Sequence, residues 1–393
     1  MAVTEDAISA PATPRATLRR AQIVTALAPA AVYLAIRLVG VVGLAVMAAR
    51  NGSTLADELT SWDGYWLLAI ADDGYAGVPS NLVDAFGQHT PDTSLGFFPG
   101  YPSIVAMVGL LIGGNLVAAG LIVSVVAGVV AAYGLTRLGT LVPGGSRRAG
   151  LLLVGLFAAT PMSVVLSMTY TEALFCALAV WALVAVLEGH WLLAGVCTAS
   201  AGVVRPTASA LVAAVGLAAL AAALSRRDGL RPWIGGLLAA SGLLGYLGYV
   251  GVRTGELDGW SAIQREGWGW GFDGGVATAG YVGRVLGSPD QLFDVLTVLA
   301  LLAGLILLGL AIRMRLPWPL LVYGAVGLAT IWGTQGLMNT KLRLLVPVIV
   351  VLIPPAVGLA RRRTSTVVIV LVAATLASGW FGGYALTVWQ YAI

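Results

Sequence analysis

Ala21 to Ala49 is an unbroken apolar run with one charge in it, Arg37. It exceeds the roughly 20 residues needed to cross a bilayer core, and it is too long for the hydrophobic region of a signal peptide. It reads as an uncleaved first span. Comparable runs recur at about 115–136, 150–168, 172–187, 190–204, 206–224, 232–252, 291–312, 317–338, 342–360 and 366–389. Backbone surrounded by lipid must satisfy its own hydrogen bonds, so such runs dictate helices. The expected fold class is an all-α polytopic membrane protein with about eleven transmembrane helices. The chain is 59% hydrophobic and 10% charged, against about 25% charged in a soluble domain. Its partners therefore include membrane lipids.

Charge placement sets the expected topology. Arg137, Arg147 and Arg148, then Arg226, Arg227 and Arg231, then Arg313 and Arg315, then Arg361 to Arg363 cluster between runs. Arginine-rich connectors stay cytoplasmic. All four clusters share one side only if 97–112 does not cross, so that stretch is expected to be a re-entrant or interfacial helix. The N-terminus is then inside and the C-terminus outside, in a multi-pass plasma-membrane protein. Residues 1–20, rich in Ala, Pro and Thr, read as a disordered cytoplasmic tail. Residues 21–393 read as a single transmembrane domain with external loops 50–114 and 253–290. Those loops hold seven and five acidic residues, and with Asp294 just beyond the second they account for thirteen of the 18 in the chain. The net charge of +4 hides this segregation and points to no nucleic-acid partner. Cys176 and Cys197 lie in apolar runs and read as small buried hydrophobes.

The polar residues concentrate in Ser61 to Ser103. Trp62, Trp66, Ala69 and Ile70 fall on one helical face, as in an amphipathic helix lying in the interface. Asp63 neighbours that face. A carboxylate beside rings and lipid is a stronger base, suited to taking a proton from an acceptor hydroxyl. Ser61 and Asp63 are also good helix-capping residues. Asp72 and Asp73 before Gly74 make either a turn or a metal-ligand pair. A divalent metal there is compatible with the chemistry and is not required, and no cofactor is expected. His89 reads as a solvated loop residue.

Charges inside or at the ends of spans are costly and so point to function. Arg37 lies mid-span. Glu172 and Arg205 lie at outer span ends, and Lys341 and Arg343 begin the tenth span. Arg205, Lys341 and Arg343 would make a cationic cluster suited to a phosphate. Lys341 and Arg343 can equally snorkel to headgroups.

Several motifs together carry a resemblance. They are Trp62-Asp63 with Leu68, Ala69, Ile70, Gly74 and Tyr75, then Phe97-Phe98-Pro99-Gly100-Tyr101-Pro102. Tyr170-Thr171-Glu172, Arg205-Pro206-Thr207, Gln264 to Trp268, and Arg343-Leu344-Leu345-Val346-Pro347 follow. In this order the chain resembles bacterial relatives of the GPI mannosyltransferase 2 (PIG-V) family, polytopic glycosyltransferases of the GT-C class. The resemblance implies a polyprenyl-phosphate sugar donor, usually mannose, and inverting transfer on the outer face. The acceptor would be a lipid or glycan of the cell envelope, as in glycolipid biosynthesis. Asp63 matches the aspartate of the family's Trp-Asp pair, which makes it the expected catalytic residue. Trp62, Tyr65, Trp66, Asp72, Asp73, Phe98, Tyr101, Glu172, Arg205, Gln264, Trp268, Lys341, Arg343 and Arg37 are expected to bind substrate. Gly100 departs from the family, which more often has a large apolar residue there, and this points to a different acceptor pocket. Arg343-Leu344 stands where the family has Arg-Tyr or Arg-Phe. The reading from a different class is a lipid or sugar transporter or flippase. Against it, the chain has no inverted repeat and no charge relay through its spans.

Overall fold

The computed structural model describes residues 14–393, with side chains from Gln22 onward. The tail expected over 1–20 falls outside it as far as residue 13, and from Pro14 the chain is helical. The architecture is all-α. It runs α1 (Pro14–Arg50), α2 (Leu55–Thr60), α3 (Asp63–Asp73), α4 (Gly100–Leu111), α5 (Leu116–Leu141) and α6 (Arg147–Ala158). It continues through α7 (Glu172–Leu187), α8 (Trp191–Gly202), α9 (Ala208–Leu224), α10 (Arg231–Thr254), α11 (Gly259–Trp268) and α12 (Val276–Gly287). It ends with α13 (Leu292–Arg313), α14 (Trp318–Gly333), α15 (Lys341–Leu344), α16 (Ile353–Ala360) and α17 (Thr364–Thr387). Two short strands, β1 (Gly271–Phe272) and β2 (Thr334–Gln335), pair antiparallel and tie the α11–α12 connector to the end of α14.

Among the described residues five helices are long and apolar enough to cross a membrane: α1 from Gln22, α5, α10, α13 and α17. The other six apolar runs are helical too, but shorter or interrupted. The 150–168 run is α6, a break near Pro161, then a 3₁₀ turn over Ser163–Ser167. The 342–360 run is α15, Pro347, a 3₁₀ turn over Ile349–Leu352, then α16. Each break frees backbone carbonyls, and buried carbonyls require partners. In the first, the Ala158 carbonyl accepts from Arg37 at 3.1 Å. In the second, the Pro347 carbonyl accepts from Tyr323 Oη at 2.7 Å.

The 97–112 stretch forms α4, whose 12 residues span about 18 Å, short of the roughly 30 Å of a bilayer core. Tyr101 Oη donates to the Gly120 carbonyl at 2.9 Å, and the Cα of Gly109 lies close to Leu116. Thus α4 runs back along the first turns of α5.

The core is formed mainly by α5, α6, α7 and α9, including Ala131, Leu135, Leu153, Phe157, Phe175, Val180, Leu183 and Leu211. Polar contacts gather at the two ends of this bundle. At one end Arg137 pairs with Glu188 at 2.6 Å, Arg148 donates to the Arg362 carbonyl at 2.9 Å, and Trp191 donates to Asp228 at 2.7 Å. The opposite end carries Asp63, Glu172, Arg205 and Arg343.

Candidate functional site

The connector between α1 and α4 places Asp63. Thr54 caps α2 in a capping box with Asp57, and Ser61 Oγ donates to the Glu58 carbonyl at 2.9 Å. A tight turn follows, closed by Gly64 N–H donating to the Ser61 carbonyl at 3.1 Å. Trp62 sits inside it at φ 55°, a conformation glycine normally supplies. Asp63 is the first residue of α3, and its side chain makes no capping bond. Gly64 then passes so close to the α6–α7 connector that a Cβ would lie 2.7 Å from Thr169 Oγ1. This approach seats Asp63 beside Tyr170 and the start of α7.

Four charges from four parts of the chain meet there. Arg343 donates from Nη2 to Asp63 Oδ2 at 2.7 Å, and from Nε to Glu172 Oε1. Arg205 donates from Nη1 to the same Glu172 oxygen and to Thr171 Oγ1, the latter at 3.0 Å. The order is Asp63, Arg343, Glu172, Arg205, with formal charges that cancel. Glu172 is fully buried, and the arginines are nearly so. A carboxylate so placed requires paired cations, since an unpaired buried charge is prohibitive. Its position at the N-terminus of α7 adds a favourable dipole. Asp63 is different, with its side chain one-third exposed.

Polar atoms remain unpartnered around this cluster. Glu172 Oε2, Arg205 Nε and Thr207 Oγ1 are buried without a hydrogen bond. Thr207 lines a small, mostly apolar cavity of about 20 Å³ with Phe175, Ala210, Gly327, Leu344 and Val348. Phe175 is one turn from Glu172, Thr207 two residues from Arg205, and Leu344 adjacent to Arg343. The cavity's lining residues neighbour three of the four charges in sequence, but none of the four charged side chains lines it. An isolated buried polar group costs about 1–3 kcal/mol. Three such atoms in and beside one row of ion pairs leave capacity for further polar contacts.

The remaining expected residues take other places. Trp66 stacks on Phe97 at 5.3 Å, and Trp268 meets both rings edge-on. Gln264 Nε2 donates to the Gly96 carbonyl at 3.1 Å, which docks α11 on the first connector. Phe98 packs on Tyr246, with centroids 4.4 Å apart. Trp62 precedes the helical face it was expected to share, and it is exposed together with Tyr65. Asp72 and Asp73 lie exposed at the far end of α3, away from the charges around Asp63. Among the described residues no three His, Cys, Asp or Glu side chains converge.

Three expectations for substrate contact meet a structural role instead. Tyr101 is fully buried, with its hydroxyl held by Gly120 and Ser124. Lys341 lies outside the cation cluster. Its Nζ donates to the carbonyls of Ile331 at 2.5 Å and Thr334 at 2.6 Å, closing the end of α14. Residues two apart on a helix face different ways, so Lys341 and Arg343 diverge. Arg37 donates to Ser167 Oγ at 3.0 Å and Ser163 Oγ at 2.5 Å, and it bridges the α6 break. Gly100 is also explained by packing. Its N–H donates to the Val203 carbonyl at 2.7 Å, and any Cβ would strike that oxygen. The glycine lets α4 abut the turn that carries Arg205.

Two contributors were not among the expected site residues. Tyr170 lies under Arg343, with the guanidinium 4.4 Å from the ring centroid, and its hydroxyl donates to the Ser61 carbonyl at 3.1 Å. Its place in the Tyr170-Thr171-Glu172 motif was the available signal. The main-chain oxygen of Ile393 accepts from Arg343 Nη1 at 3.0 Å. No local signal announces that contact.

No protein-family model matches the chain, and no curated protein matches it. Among solved structures, it is similar to the crystal structure of the Archaeoglobus fulgidus oligosaccharyltransferase complex with Zn and sulfate. The TM-score is 0.50 at 14% identity, over 89% of this chain and 53% of the other. The chain thus spans about half the length of that protein. The likeness shows the fold alone, a polytopic all-α frame shared over most of this chain.

Proposed function

We propose that this protein is an inverting glycosyltransferase that moves a mannosyl residue from a polyprenyl-phosphate donor to a lipid or glycan acceptor. One observation carries the reading: a part-exposed carboxylate, Asp63, and two guanidiniums, Arg205 and Arg343, are joined in one row of ion pairs. The fold likeness and the motif resemblance support it. The donor's phosphate would lie toward Arg205 and Arg343. Guanidiniums suit phosphate oxygens through paired N–H donors.

In the reaction Asp63 takes the proton of an acceptor hydroxyl, and that oxygen bonds to the anomeric carbon. The bond from that carbon to the phosphate oxygen breaks, and its electron pair leaves with the phosphate. Attack from the opposite face turns a β-linked donor into an α-linked product. The arginines stabilise the departing phosphate, so no separate acid is needed. Glu172 holds both arginines in place. With the arginine-rich ends cytoplasmic, the site faces outward from the plasma membrane.

The test is transfer of label from radiolabelled polyprenyl-phosphomannose by purified protein, with Asp63→Ala and Asp63→Asn in parallel. Label in a new product with wild type, lost in both variants at unchanged thermal stability, supports transferase and base together. Transfer only from a glucosyl or arabinosyl donor would replace the sugar and keep the enzyme. Lipid movement across vesicles with no change in product mass would favour the transporter.

A further inference from the structure

Resting on that reading, we propose that Arg343 holds Asp63 in a resting ion pair, and that the donor's phosphate releases the carboxylate by taking its place. All three nitrogens of Arg343 are engaged, by Glu172, by Asp63 and by the main-chain oxygen of Ile393. An arriving anion competes with these three partners for the guanidinium. Glu172 is fully buried and is shared with Arg205, and Ile393 is 1% exposed. Asp63 is the partner open to exchange, its side chain 33% exposed beside an arginine at 9%.

Charge favours the same exchange. With Asp63 paired, the four side chains sum to zero, and the cradle offers a phosphate no net attraction. With Asp63 turned away, Glu172, Arg205 and Arg343 leave one positive charge, which matches the single negative charge of a phosphodiester. Arg343 stays in place during the swap because Tyr170 lies under it and Glu172 holds Nε. A carboxylate released from a guanidinium is free to accept a hydrogen bond from an acceptor hydroxyl. Donor binding thus produces the base, and the donor binds before the acceptor is activated. In the empty site Asp63 stays neutralised and does not activate water.

The test measures the affinity of the purified full chain in detergent micelles for undecaprenyl phosphate. This probe has the anion and the chain but no sugar, so no turnover intervenes. Asp63→Asn is expected to bind it about five- to tenfold tighter than wild type, the scale of one exchangeable charge pair. Asp63→Glu keeps the pairing and is expected to return the affinity toward wild type. Asp72→Asn, on the same helix but outside the cluster, removes an equal charge and is expected to change affinity less than about twofold. Wild-type affinity in Asp63→Asn overturns the cage and leaves the donor reading standing. Equal tightening in Asp72→Asn also overturns it, since general charge would then suffice. If neither folded wild type nor Asp63→Asn binds the probe, the donor reading fails and the cage with it.

Discussion

Two buried arginines in this molecule are satisfied in opposite ways. Arg37 is held by dipoles: two serine hydroxyls and a carbonyl, with no carboxylate among its contacts. Arg343 is held by charges, Asp63 and Glu172, together with one main-chain oxygen. The Arg37 network is closed. Ser163 continues to Ser378 at 2.9 Å, and Ser378 donates to the Thr160 carbonyl at 2.7 Å. The Arg343 network is open, with a part-exposed carboxylate at one end and unpartnered Glu172, Arg205 and Thr207 atoms at the other. An arginine in a membrane protein is therefore not by itself evidence of a site. What distinguishes the two is whether its partners can be exchanged.

The comparison breaks most sharply under substitution. Arg343→Ala strips Asp63 of its partner and Glu172 of one of two, and transfer activity should fall at least about 10³-fold. Asp63→Asn keeps the shape and should lose about 10²–10⁴-fold in label transfer. Arg37→Ala should act on stability instead, costing about 2–4 kcal/mol in denaturation experiments because hydroxyls and a carbonyl lose their donor. Transfer per folded molecule should stay within about twofold of wild type, at the usual level of noise for a remote site. Loss of activity without loss of stability in Arg37→Ala would erase the distinction.

Gly100→Leu probes the contact between α4 and the Arg205 turn. Overpacking there should cost about 1–3 kcal/mol and also weaken binding of undecaprenyl phosphate, since Arg205 shifts with the turn. A variant with native melting and native affinity would show that the close approach is dispensable.

The smallest effect concerns pH. Ala277 and Gly275 N–H groups bond Asp273 and hold its carboxyl below its ordinary value of 3.8. A depressed carboxyl stabilises the fold above the unfolded value and loses that contribution as pH falls through the folded one. Hydrogen exchange at those two amides should speed up only below about pH 3.8, and Asp273→Asn should remove the pH dependence.

Much of this was legible in the sequence, for a physical reason. Lipid forbids unsatisfied backbone, so apolar runs announce helices. It also penalises stray charge, which is why Asp63, Glu172, Arg205 and Arg343 each stood out alone. Their pairing was not legible. Arg205 and Arg343 read as free cations awaiting phosphate because the carboxylates that neutralise them come from distant parts of the chain. Lys341 looked like their companion through proximity in sequence, but helical geometry turns it away. Arg37 read as functional because the serines that satisfy it are too common to notice. Trp62 looked like a helical residue, and only the fold shows it in a turn suited to glycine.

The separation of 280 residues between Asp63 and Arg343 bears on how the protein is made. At roughly 5–20 residues per second of synthesis, Arg343 follows Asp63 by tens of seconds. The Arg205–Glu172 pair, 33 residues apart in sequence (172 to 205), is complete long before. The nascent chain can therefore bury its most costly acid early and leave Asp63 in contact with water. The proposed site is then complete only once α15 docks and Arg343 joins the row.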